Sequence, residues 1–214
     1  MLRSLAVGGL SLAVVVAGAW AARRNHASEM GQLTAAGILA GPHAAAPAQA
    51  AAYARSMRAL YDPLMGMYGD PLKQLGFVVC IDVPIRSYMS AGVSLPELLR
   101  EAAKENPAWF KIASDNPPPS PFFVRRVRNY ADLFQHHPAL ETSPSPLAGD
   151  LAFYGRWHIG LVTEVGPDGT YKVAEARGPL FPVTERSDAA MTRRWGEPSF
   201  FGRFRQSATR VSDP

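Results

Sequence analysis

Three features of this chain predict an α+β fold. Segments between Gln49 and Phe134 read as helices from their start and stop residues. From Leu151 to Ala176 the apolar runs shorten to strand length. Two of these runs are joined by Gly166-Pro167-Asp168-Gly169, a strong turn signal that pairs them antiparallel. Helices gathered ahead of an antiparallel sheet, instead of alternating with its strands, give the α+β order. With 214 residues, 47% of them apolar, the chain has room for one domain with a real core.

At the N-terminus, Arg3 precedes Ser4–Ala22, nineteen residues without a charge, and Arg23-Arg24 follow. The charged start, apolar middle and small-residue exits at Ala17-Gly18-Ala19 and Ala19-Trp20-Ala21 fit a secretory signal peptide. The length also suits an uncleaved membrane anchor. Residues 1–24 are thus expected to direct export to the periplasm or cell envelope, and any membrane contact is expected through this segment alone. Residues 25–48, rich in Ala, Gly and Pro, read as a linker. Residues 49–205 read as the folded domain and 206–214 as a polar tail.

Within the domain, Gln49–Leu60 is expected to be a helix ended by Asp62-Pro63. Pro84 is tolerable only in the first turn of the next helix, which places Cys80 at or just before its N-terminus. Gly92 supplies the stop. Ser94 caps a further helix, with Pro96 and Glu97 in its first turn, that ends before Asn106-Pro107. Three consecutive prolines make Asp115–Pro121 an extended loop. Val127–Phe134 is helical or turn-like, and the strands are Leu151–Tyr154, Ile159–Val165 and Thr170–Ala176.

Cys80 is the only cysteine. In an oxidising compartment a thiol with nothing to pair with needs a reason, and catalysis is one. The helix dipole and unpaired N–H groups at its position favour a thiolate. Downstream, His158 opens an apolar run, and a lone cysteine followed by a histidine is the pattern of a cysteine hydrolase. With Gly166–Gly169 as a four-residue turn, Val165 pairs with Thr170 and Glu175 falls opposite Gly160, diagonal to His158 on one face. Glu175 would then orient the imidazole, with Gly160 leaving the space between them open. The same register puts Glu164 on that face, farther along the strand. Asp82 is expected to cap the helix behind Cys80 or to pair with Arg86 four residues on. Asp150 is expected to support the turn before the histidine strand.

The remaining motifs exclude more than they suggest. His136-His137 are adjacent and chelate poorly, and no acidic or cysteine partner recurs at ligand spacing, so no metal and no cofactor is expected. With 22 Lys+Arg against 18 Asp+Glu, the charge is only mildly basic and argues against nucleic acid. Arg125, Arg126 and Arg128 read as ion-pairing residues or as attraction toward acidic wall polymers.

With Cys80, His158 and Glu175 in this order, the chain resembles the NlpC-like cell-wall cysteine peptidases of the papain-like superfamily, in a little-characterised secreted branch. The likeness is carried by Tyr61-Asp62-Pro63, Tyr68-Gly69-Asp70, the segment from Val79 to Arg86, and Arg125 to Asn129. It continues through Gly149-Asp150, His158-Ile159-Gly160 and Phe201 to Arg205. It implies a helix led by Cys80 packed on a small antiparallel sheet that presents His158, with Glu175 third and Tyr68 lining the site. The implied substrate is the stem peptide of peptidoglycan. The chain departs from the pattern at Ile81, at Phe123-Val124 and at Arg203. Two other functions stay open: a catalytically inactive envelope binding module of the same fold, and an acyltransferase working through the same thioester.

Overall fold

The computed structural model describes residues 45–57, 78–111, 117–120, 122–178 and 181–205. The expected signal or anchor (1–24), most of the linker, Tyr68 and the tail (206–214) lie outside the described residues. Among the described residues no helix is long and apolar enough to cross a membrane.

The first helix, α1 (Ala46–Ser56), starts inside the segment read as linker and stops short of Leu60. Pro47 sits in its first turn, where a missing N–H costs nothing. Ala46, Ala50, Ala51 and Ala54 are buried, so a small-residue face brings its backbone close to the core. Gly149 shows how close: its φ of +95° already requires glycine, and a Cβ there would lie 2.5 Å from Pro47. Helix α2 (Asp82–Ser90) buries Val83, Ile85, Tyr88 and Met89 and stops before Gly92, whose φ is +78°. Helix α3 (Leu95–Glu105) is capped as its sequence demands, Ser94 accepting the Glu97 N–H at 3.4 Å. Helix α4 (Val127–His136) buries Tyr130, Leu133 and Phe134.

Six strands follow in one antiparallel sheet: β1 (Leu140–Ser143), β2 (Leu151–Tyr154), β3 (His158–Val165), β4 (Tyr171–Glu175), β5 (Thr184–Ser187) and β6 (Phe200–Phe204). Their spatial order is β1-β6-β2-β3-β4-β5, so the chain returns at its end to pass between β1 and β2. One further helix, α5 (Asp188–Trp195), interrupts the strand run between β5 and β6. The fold is α+β, and strands β1, β5 and β6 with α5 extend the expected elements.

The sheet separates two apolar layers. Leu151, Phe153, Ile159, Leu161 and Ala174 face the larger layer, which holds α1 to α4. Phe134 and Phe204 pack there at 6.4 Å between ring centroids. Tyr88 joins Phe204 at 5.3 Å and donates its hydroxyl to the Gly149 carbonyl at 2.8 Å, tying α2 to the loop before β2. Ala152, Tyr154, Val162, Val173 and Phe201 face the smaller layer, closed by Met191 of α5. Alternation along β3 and β4 puts His158 and Glu175 on this second side.

The β3–β4 register departs from the expected one twice, and the departures cancel. The loop holds five residues, Gly166 to Thr170, closed by Gly166 N–H to the Thr170 carbonyl at 2.7 Å. Val165 therefore pairs with Tyr171 instead of Thr170, and Glu164 with Lys172. A bulge at Thr163 absorbs the extra residue, after which Val162 pairs with Val173 and Leu161 with Ala174. One step further, Glu175 comes opposite Gly160, as expected. The bulge also turns Glu164 to the other side of the sheet, where it meets Lys172 at 3.1 Å. Its expected place on the His158 face is overturned. Nor does Gly160 leave open space, because Val173 Cγ1 fills it.

Candidate active site

The tight turn Gly155-Arg156-Trp157 delivers the chain into β3 at His158. Gly155, at φ +60°, allows the turn. Arg156 anchors it through two bonds to Asp132 of α4, at 2.6 and 2.8 Å. His158 pairs with Tyr154 across the β2–β3 ladder, and its side chain is only 5% exposed. Its Nε2 lies 2.8 Å from Glu175 Oε2. Trp195 of α5 stacks on the imidazole, with centroids 3.9 Å apart and planes 13° from parallel, and donates its indole N–H to the same Oε2 at 3.0 Å. Arg186 of β5 reaches Oε1 at 2.8 Å.

Glu175 is fully buried and faces three donors. Burial alone would raise its pKa, but the His158 hydrogen bond and charge, the Trp195 N–H and Arg186 together hold the carboxyl below its ordinary value. A carboxylate 2.8 Å from Nε2 favours the proton on that nitrogen and leaves Nδ1 as the imidazole's lone-pair nitrogen. Among the described residues, Nδ1 has no hydrogen-bond partner.

Cys80 sits just before α2, against the larger apolar layer. Its sulfur is met by the backbone N–H groups of Ile159 and Ile81, which places it one residue along β3 from His158. The expectation of a thiolate is overturned. Burial, and then the Asp82 carboxylate, push the thiol up to about 11, against the smaller pull of those N–H groups and of Arg125. Thiol and imidazole form no hydrogen bond with each other among the described residues. At the start of β3 the imidazole stands on the α5 side of the sheet, and the thiol meets the next residue, Ile159, from the helical side.

Asp82 accepts the Val79 N–H at 2.8 Å, which fixes the approach to Cys80. It also pairs with Arg125 at 2.7 Å, with both side chains fully buried. Arg86 lies half-buried on α2. Asp150 accepts the Leu147 N–H at 2.7 Å, as a turn residue should, and meets Arg203 of β6 at 2.6 Å. Burial outweighs both partners and raises its pKa to about 6. Tyr68 lies outside the described residues.

A cavity of about 470 Å³ opens at Cys80, lined by Val79–Ile81, Arg125–Arg128, Arg156 and Trp157. Trp157 stands at its rim, 83% exposed. Among the described residues, no group of three or more His, Cys, Asp or Glu could hold a metal ion.

The structure thus joins His158 to Glu175 and sets Cys80 against Ile159, the residue after His158, with no hydrogen bond to either among the described residues. Sequence reasoning missed Trp195 and Arg186, which hold Glu175 from the far side. Their one legible signal was Ser187-Asp188, a helix start in which Ser187 accepts the Ala190 N–H at 3.3 Å and so delivers Trp195 over the imidazole. No protein-family model, curated protein or solved structure matches this chain.

Proposed function

We propose that this protein is a cysteine hydrolase that cleaves amide bonds in exported wall peptides, with Cys80 as nucleophile, His158 as base and Glu175 as the orienting carboxylate. One observation carries the reading: Glu175 holds Nε2 of His158 and leaves Nδ1 unbonded, one residue from a thiol that opens onto a cavity. In the reaction Nδ1 takes the thiol proton as sulfur attacks the amide carbon. The Cys80 N–H donates to the developing oxyanion, and His158 returns the proton to the leaving amine. Water then releases the acyl group from sulfur. The protonated thiol makes this general-base catalysis instead of attack by a preformed thiolate. Nδ1 must come within hydrogen-bond reach of sulfur when substrate fills the cavity, a tightening common on going from free enzyme to complex.

The NlpC-like resemblance supports the same chemistry and names peptidoglycan stem peptides as substrate, with the segment 1–24 supplying export. The raised thiol pKa favours a second reading, a non-catalytic binding module of that fold. Incubating full-length protein with peptidoglycan and reading products by mass spectrometry separates the two. Cleavage lost in both Cys80→Ala and His158→Ala supports the hydrolase. Cleavage that survives Cys80→Ala, or no cleavage at all, refutes it.

A further inference from the structure

Four guanidinium groups line the cavity at Cys80, and no acidic side chain lines it among the described residues. Two of the four are already neutralised, Arg125 by Asp82 and Arg156 by Asp132. Arg126 and Arg128 have no acidic partner among the described residues. Arg126 is exposed, and its guanidinium lies 6.0 Å from the Phe122 ring. Arg128 is half-buried, and its Nε is fully shielded from solvent with nothing to donate to. A buried donor without an acceptor is costly, and an arginine offers a fork that fits a carboxylate. The thiol is neutral at physiological pH, so the cavity wall carries an excess of positive charge.

We infer that this cavity selects peptides with a free carboxylate close to the amide presented to Cys80, bound by Arg128 and Arg126. The inference rests on assigning the cavity to substrate and adds the chemical class of the group beside the scissile bond. Arg126 and Arg128 stand at the first turn of α4, where the helix dipole adds to their attraction for an anion. Trp157 at the rim offers an apolar platform to the methylenes that carry the carboxylate.

The test uses full-length Cys80→Ser protein, which binds without turnover, and two N-acetylated tripeptides that differ only in Glu against Gln. Calorimetry at low salt should show the Glu peptide binding on the order of tenfold tighter, a preference that shrinks as salt is raised. Arg126→Gln with Arg128→Gln should reduce the preference to within about twofold, while Arg128→Lys keeps part of it. The exposed Arg126→Gln alone should weaken it with the thermal melt unchanged. Equal affinity for the two peptides, or no binding of either, overturns the inference. Inorganic phosphate displacing the Glu peptide at lower concentration than acetate would assign the cavity to phosphoryl groups and also overturn it. Charge-selective binding without any turnover in the wild type would keep this inference and refute the hydrolase. Turnover without charge preference would do the reverse.

Discussion

Replacing Glu175 by glutamine tests the site most directly, because the change keeps shape and removes one negative charge. The carboxylate faces donors on both oxygens: His158 and Trp195 at Oε2, Arg186 at Oε1. An amide has only one accepting atom. With its oxygen toward His158 and Trp195, its NH2 is driven against Arg186. Flipped, its NH2 faces the imidazole and the indole, and His158 can accept it only by moving its proton to Nδ1. That is the wrong tautomer for taking a proton from Cys80. Either arrangement leaves a desolvated donor or cation unpaired, which costs about 3 kcal/mol. Glu175→Ala loses all three partners and costs as much or more. On the proposed mechanism the loss of activity is larger, since losing tautomer control of a catalytic imidazole lowers the rate about 10⁴-fold. The pH dependence has a definite sign. A carboxyl held below its ordinary value of 4.5 contributes stability above that pH and loses it as pH falls through the folded value. The wild-type advantage over Glu175→Gln should therefore be full at pH 7 and shrink below about pH 4.5. Urea melts at pH 7 and pH 3.5, with peptide hydrolysis followed by mass spectrometry, measure both effects. Unchanged stability at pH 7 would show that the buried contacts around Glu175 are misassigned. Unchanged activity would remove Glu175 from the reaction.

Three further outcomes follow from the same geometry. Native Cys80 should react with iodoacetamide more slowly than a free thiol at pH 8, with labelling still rising above pH 9; a plateau near neutrality would mean that a thiolate forms despite burial. Trp195→Phe keeps the stack on His158 but loses the bond to Glu175, so melts should show a loss of about 1 kcal/mol, whereas Trp195→Ala should lose about 2 kcal/mol and admit water to the imidazole. Asp150, raised to about 6, binds its proton more tightly folded than unfolded, so it favours folding at low pH and this contribution fades as pH rises from about 4 to about 6. Asp150→Asn should flatten stability over that window, and an unchanged slope would refute the assignment.

The helices and their caps were legible because each rule is local: Pro84 and Pro96 in first turns, Ser94 as cap, Gly92 as stop. The face of Glu175 was legible for a less secure reason. The turn was read one residue short, and the bulge at Thr163 that restores the register has no signature in Val162-Thr163-Glu164. The face of Glu164, beyond the bulge, came out reversed for the same cause. Strands β1, β5 and β6 are four or five residues long and partly polar, too short for alternation to stand out. The thiol's protonation was misread because a helix N-terminus is visible in sequence, whereas burial and the Asp82–Arg125 pair 43 residues apart are not.

These charge pairs bear on what the site is built to do. Asp82–Arg125, His158–Glu175–Arg186, Asp132–Arg156 and Asp150–Arg203 each bury a carboxylate within 2.6 to 2.8 Å of its partner. Apolar residues of similar volume would stabilise such positions as well or better, because desolvating two charges offsets most of their attraction. Hydrophobic burial therefore does not account for where the pairs stand. Each one joins separate elements: α2 to the segment before α4, β3 to β4 and β5, α4 to the turn before His158, and the loop before β2 to β6. The first three converge on Cys80, His158 and the mouth of the cavity. A directional ion pair fixes a side chain in one orientation, which dispersion contacts do less sharply. Their concentration around the thiol and imidazole is the arrangement expected where position matters more than stability, and of the four arginines that line the cavity it leaves Arg126 and Arg128 without a carboxylate among the described residues.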